Sequence, residues 1–164
     1  MKADRGGWRP LEHPQLLQGF PQDAYKMAKK LPEPTVCSEC GAVWHAGRWA
    51  WADTPANAHK AMCPACHRIH DRFPAGFVHI GGPFFEEHRD EIVHRVTNVE
   101  SREKAGHPLE RIMAIEETAD GIVVTTASVH LARAIGVALE DAWKGELDYH
   151  YNEGENLLRV LWRR

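Results

Sequence analysis

Within residues 83–164, apolar residues recur at helical steps in two stretches and alternate at strand steps in four others. Phe85, Ile92, Val96 and Val99 fall near one face and predict a helix from Phe84 to about Lys104. Acidic Glu86, Glu87, Asp90 and Glu91 occupy its first turns, where the helix dipole favours negative charge, and Gly106 and Pro108 end it. Arg111 to Glu117 and Ile122 to Thr126 read as strands joined by a hairpin turn at Asp120-Gly121, a pair that tolerates positive φ. A second helix takes Ser128 as N-cap, carries Leu131, Ile135, Ala138, Leu139 and Ala142 as its apolar stripe, and closes on Lys144-Gly145. Leu147, Tyr149 and Tyr151, and then Leu158, Val160 and Trp162, mark two more strands on either side of a turn at residues 152–156. The pattern predicts an α+β unit: helix, hairpin, helix, hairpin, with a four-stranded antiparallel sheet covered on one face by two helices. That order is a circular permutation of the ferredoxin-like βαββαβ unit.

The first half of the chain has a different texture. Residues 1–34 are rich in Gly and Pro with few periodic apolar positions, which predicts a flexible arm. Within it, Asp23 to Lys30 has the makings of one or two helical turns, placing Lys26, Lys29 and Lys30 at helical spacing. These lysines read either as a basic tether for RNA or as a solvated linker. Residues 35–82 predict a small ribbon, with Val43 to Trp51 as an aromatic, Gly-interrupted hairpin. Phe73 to Pro83 reads as a linker partly anchored by Phe77 and Ile80, and Gly81-Gly82 marks the boundary with residues 83–164.

All four cysteines of the 164-residue chain lie in that ribbon, as the pairs Cys37/Cys40 and Cys63/Cys66 with 22 residues between Cys40 and Cys63. Two Cys-x-x-Cys turns converge four thiolates on one ion, and zinc is the natural occupant, with disulfides, a redox pair or an iron–sulfur cluster as the other readings. The spacing is slightly longer than the usual ribbon template of about 15 to 20 residues. A site filled by four cysteines is closed to water and structural, so zinc would fold the ribbon without doing chemistry. Its loss is then expected to unfold residues 35–82 and leave 83–164 folded. His45, His67 and His70 are near in sequence but read as exposed or supporting groups.

Charge modifies this picture. Residues 1–82 hold ten Lys/Arg against seven Asp/Glu, while residues 83–164 hold ten against sixteen, an asymmetry that points to an anionic partner on the N-terminal side. Arg48, Trp49 and Trp51, with Lys60, Arg68 and Arg72, suit a surface where bases stack and cations hold phosphates; the competing reading is that the rings cover a metal core. His130 and Arg133, near the start of the second helix, form a secondary RNA-contact candidate. With no apolar run long enough to span a bilayer and no leader-like start, the expectation is a cytoplasmic protein with no membrane partner.

The cysteine pairs, together with Thr125 to Gly136, Lys144 to Asp148 and Leu158 to Trp162, resemble the bacterial zinc-ribbon relatives of the Nmd-three family over residues 32–164. In archaea and eukaryotes that family binds the large ribosomal subunit, and in eukaryotes it serves as an export adaptor. The resemblance implies zinc at Cys37, Cys40, Cys63 and Cys66, and contact with ribosomal RNA or the large subunit, in assembly or in ribosome hibernation under stress. The export role is not implied. A zinc-clipped protein-interaction adaptor without RNA contact is the alternative. An enzyme is disfavoured: His130, His150, Asp148, Glu116 and Glu117 lack a nucleophile elbow, a phosphate-binding Gly loop or an open metal site beside them, and no small-molecule substrate is expected.

Overall fold

A computed structural model describes Arg9, Pro10, Tyr25, residues 30–152 and residues 154–164. Its elements run β1 (Arg9–Pro10), β2 (Thr35–Cys37), β3 (Val43–His45), β4 (Arg48–Ala50), β5 (His59–Ala61), α1 (Pro64–Asp71), β6 (Gly76–Gly81), α2 (Pro83–Gly106), β7 (Ile112–Thr118), β8 (Gly121–Thr126), α3 (Val129–Trp143), β9 (Glu146–Asn152) and β10 (Leu157–Arg163). The strands form two mixed sheets: β4-β3-β2-β5, and β1-β9-β10-β6-β8-β7.

The larger sheet differs from the antiparallel four-stranded one that the pattern predicts. Phe73 to Pro83 does not form a linker. Its middle is β6, a central strand paired parallel with β10 and antiparallel with β8. Val78 and Ile80 are buried, while Phe77 and His79 alternate with them and stay partly open, so the run behaves as a half-buried strand. Although β6 precedes the boundary at residue 82, it belongs by pairing to the sheet that follows. Starting from β6, the chain follows the ferredoxin-like βαββαβ order through β9, and β10 is inserted between β6 and β9, so the unit is an extension of that order and not a permutation of it.

Both helices pack on one face of this sheet. Phe85, Ile92, Val96 and Val99 of α2 and Leu131, Ile135 and Leu139 of α3 share one core with Val124, Val160 and Trp162 of the strands. Ser128 caps α3, its hydroxyl accepting from the His130 N–H at 3.1 Å. The β7–β8 turn sits one residue earlier than expected, at Ala119-Asp120, and Gly121 instead opens β8. Gly121 pairs with Gly81 of β6, and a Cβ there would overlap the Ile80 carbonyl oxygen, so the close approach of two backbones demands glycine.

The ribbon has its own small core of Cys37, Ala42, Trp49, Cys63, Ala65 and Cys66. Ala127, with Leu109 and Met113, reaches into it from the larger unit. A bulge between Ile112 and Ala114 shifts the register of β7 at Met113; Ile112 packs on the main core and Met113 on the ribbon core. Among the described residues, no helix is long and apolar enough to cross a membrane.

Candidate metal centre

Two local motifs build the site. The first follows β2, where the Cys37 N–H donates to the Ala42 carbonyl at 2.7 Å and the Gly41 N–H to the Cys37 carbonyl at 3.0 Å, with Gly41 at φ +80°. Such a left-handed position suits glycine, and the turn curls Cys40 back towards Cys37. The second is the start of α1, not a free-standing turn. Cys63 is its N-cap and accepts the Cys66 N–H at 3.4 Å, and Pro64 stands in the first turn, where its missing N–H costs nothing. Cys37 Sγ also accepts the Cys63 N–H at 3.3 Å, which ties the two motifs together.

The four sulfurs lie within 4.8 Å of one another, with Cys37 to Cys66 at 3.7 Å and Cys40 to Cys63 at 3.9 Å. All four cysteines are free, which disagrees with disulfides. A tetrahedron with metal–sulfur bonds of about 2.3 Å has edges of roughly 3.8 Å, so the cage fits a thiolate-bound ion. No histidine joins it among the described residues; His45, His67 and His70 are exposed.

The thiols themselves signal the need for a counter-charge. Burial pushes Cys63 up, and the charges of its three neighbours add to that. Burial also raises Cys66, against the pull of Arg111. At Cys37 burial is outweighed by the backbone N–H groups of Cys40, Cys63 and Glu39, and its pKa falls to about 6. Four sulfurs packed together cannot all ionise without a cation among them.

Part of that positive charge comes from a residue that the spacing of the motif does not indicate. Arg111, just before β7, is 8% exposed. Its Nη1 donates to Cys66 Sγ at 3.3 Å, and its Nη2 reaches Cys63, Cys66 and Cys40 at 3.2, 3.3 and 3.8 Å. The planar fork thereby spans three of the four sulfurs. Beside it the Glu110 carboxyl is withdrawn from solvent, with Oε1 accepting the Ser128 hydroxyl at 3.1 Å. Burial raises its pKa above 4.5, while the Ser128 hydrogen bond and nearby His130 and His107 pull the other way.

The RNA-contact candidates separate into several groups. Lys26 and Lys29, with most of residues 1–34, lie outside the described residues. Arg68 is buried at 3% exposure, donates to the Phe73 carbonyl at 3.1 Å and holds its guanidinium 4.4 Å from the Tyr25 ring centre, so it serves packing instead of an open phosphate. Trp49 belongs to the ribbon core, whereas Trp51 is exposed and donates its indole N–H to the Lys104 carbonyl at 2.7 Å. Lys60 and Arg72 are exposed, with Lys60 on the sheet edge opposite Arg48. Lys30, Arg48 and Trp49 meet at one cleft, joined there by Trp44 and by His107 to Glu110. Near His130 and Arg133, one of the N–H groups that the helix end would offer to phosphate is taken: the His130 N–H donates to the Ser128 hydroxyl, and Glu110 brings a carboxyl to the same place.

No family model, no curated protein and no solved structure matches the chain.

Proposed function

We propose that the chain is a non-enzymatic zinc protein of the cytoplasm that binds the ribosome through ribosomal RNA of the large subunit, acting in hibernation under stress or in subunit assembly. The observation that carries this reading is the cage of four sulfurs at tetrahedral spacing, braced by Arg111. Zinc suits such a cage because it has no geometric preference of its own and binds thiolates well. Cys37, Cys40, Cys63 and Cys66 would hold it, and it would supply stability to a ribbon with few core residues of its own. Arg111 would offset part of the excess negative charge of a four-thiolate centre.

The RNA part draws on the resemblance of the cysteine pairs and the α3 region to ribosome-binding relatives, and on the exposed cations Lys30, Arg48, Lys60 and Arg72 of the ribbon side. Cations there would neutralise phosphates while Trp44 or Trp51 offers a stacking ring. Elemental analysis is expected to find one zinc per chain, and cosedimentation to show large-subunit binding that weakens as salt rises. Failure to pellet with the subunit at low salt would remove the ribosomal assignment. The adaptor reading gains from the burial of Arg68 and Trp49, which takes two groups away from an RNA surface. It predicts that replacing Arg48, Lys60 and Arg72 leaves partner binding unchanged.

A further inference from the structure

Next to the metal centre the chain leaves a cleft of about 450 Å³, within the size range of small-ligand sites. Lys30, Trp44 and Arg48 line it from the ribbon side, and His107, Leu109 and Glu110 line it from the connection between α2 and β7. Two of these residues carry a buried polar atom with no hydrogen-bond partner among the described residues, the indole Nε1 of Trp44 and Oε2 of Glu110. Folded chains pair nearly all such atoms, and two orphans in residues lining one cleft, each just beneath its surface, are partners that an entering polar group would meet after a small side-chain shift. Lys30, Arg48 and His107 are exposed, so three cationic or protonatable groups surround a wall of aromatic and aliphatic side chains.

Each feature narrows the guest. An aliphatic ligand would leave the orphaned donor and acceptor as they are. A bare anion would gain from Lys30 and Arg48 but would make no use of the Trp44 ring and would be repelled by the Glu110 carboxylate. What engages the Trp44 ring, the Glu110 acceptor and the two cations together is a flat ring with a polar edge, attached to a negative group.

We infer that the cleft receives one unstacked base of single-stranded RNA, with the ring against Trp44, the flanking phosphates on Arg48 and Lys30, and an exocyclic amine on Glu110. This rests on the RNA reading above and adds where and how a base is held. Stacking on an aromatic ring is available to every base, and the carboxylate supplies selection. Cytosine offers an N4 amine to a carboxylate, whereas uracil has a carbonyl oxygen at that position, which a carboxylate repels. The cleft therefore favours cytosine over uracil. Trp44 and Glu110 act here as a pair supplied by opposite sides of the cleft, so neither sequence neighbourhood marks it alone.

The test uses the intact zinc-loaded chain, labelled with nitrogen-15, and three hexamers: oligocytidine, oligouridine and an abasic ribose-phosphate strand. Oligocytidine is expected to move the Trp44 indole N–H signal and to bind about fivefold tighter than oligouridine. The abasic strand is expected to bind about tenfold more weakly than oligocytidine and to leave that signal in place. Glu110→Gln, whose amide both accepts and donates, is expected to erase the preference for cytosine without changing zinc content. Equal affinity for the abasic strand, or tight hexamer binding with the Trp44 signal unmoved, overturns the base site while leaving RNA binding intact. If no hexamer binds even at low salt, the RNA reading itself falls, and the base site with it.

Discussion

Removing the guanidinium of Arg111 would leave three sulfurs without their side-chain donor and a concentrated negative charge without its nearest cation. Arg111→Met is expected to weaken metal binding by about 10–100-fold in a chelator competition, the usual effect of losing a group that supports metal ligands. Arg111→Lys should fall between, since a single ammonium cannot span three sulfurs as a planar fork does. Unchanged affinity in Arg111→Met would show that the fork is only filling space. At Glu110 the pH dependence has a definite sign. Its folded pKa is raised by burial, so the folded chain holds this proton more tightly than the unfolded chain. The associated stability is fully present below the unfolded value near 4.5 and is lost as pH rises through the folded one. Glu110→Gln is therefore expected to melt above the wild type at about pH 8, with the gap narrowing as pH is lowered to about 5.5; a constant gap would assign the effect to something other than titration. At this scale the cysteines are legible because each pair is a local spacing. Arg111 is not, because it sits 45 residues beyond Cys66 and charged residues on a strand border are ordinarily solvated. Arg68 misleads for the same reason, as its charge gives no hint of the Tyr25 ring and Phe73 carbonyl around it.

Among the elements, α2 and α3 can be read within a few residues of their ends because a long 3.6-residue repeat carries many agreeing positions. The hairpins β7–β8 and β9–β10 show themselves with near-correct bounds, and only the turn of the first is displaced by one residue. Strand β6 escapes a linear reading: its Phe-Val-His-Ile run is short and framed by glycines and prolines, the composition of a linker. Its partners are also remote in the chain, since Val78 pairs with Val124 of β8 on one side and Val160 of β10 on the other. Gly121→Ala is expected to cost about 1–3 kcal/mol in urea unfolding, because the added methyl would force β6 and β8 apart at the Gly81 pairing. A variant as stable as the wild type would show that the two backbones can separate freely there.

For the molecule as a whole, the metal centre is shared. Arg111 reaches the sulfurs, and Leu109, Met113 and Ala127 pack on the ribbon core, all from the larger α/β unit. Chelation is therefore expected to strip hydrogen-exchange protection from residues 35–61 and also from the backbone around Arg111 and Ile112, while β6, β8 and β10 stay protected by the main core. Loss confined to the ribbon would mean that the two cores are energetically separate. The four metal-ligand candidates, both long helices and the two C-terminal hairpins are each written in spacings of a few residues, so the order of amino acids suffices to find them. The central place of β6, the bracing of the sulfurs by Arg111 and the meeting of Trp44 with Glu110 at one cleft follow only from the packed chain. Those features depend on which distant segments come together, and that is set by burying apolar faces against one another, not by any local repeat.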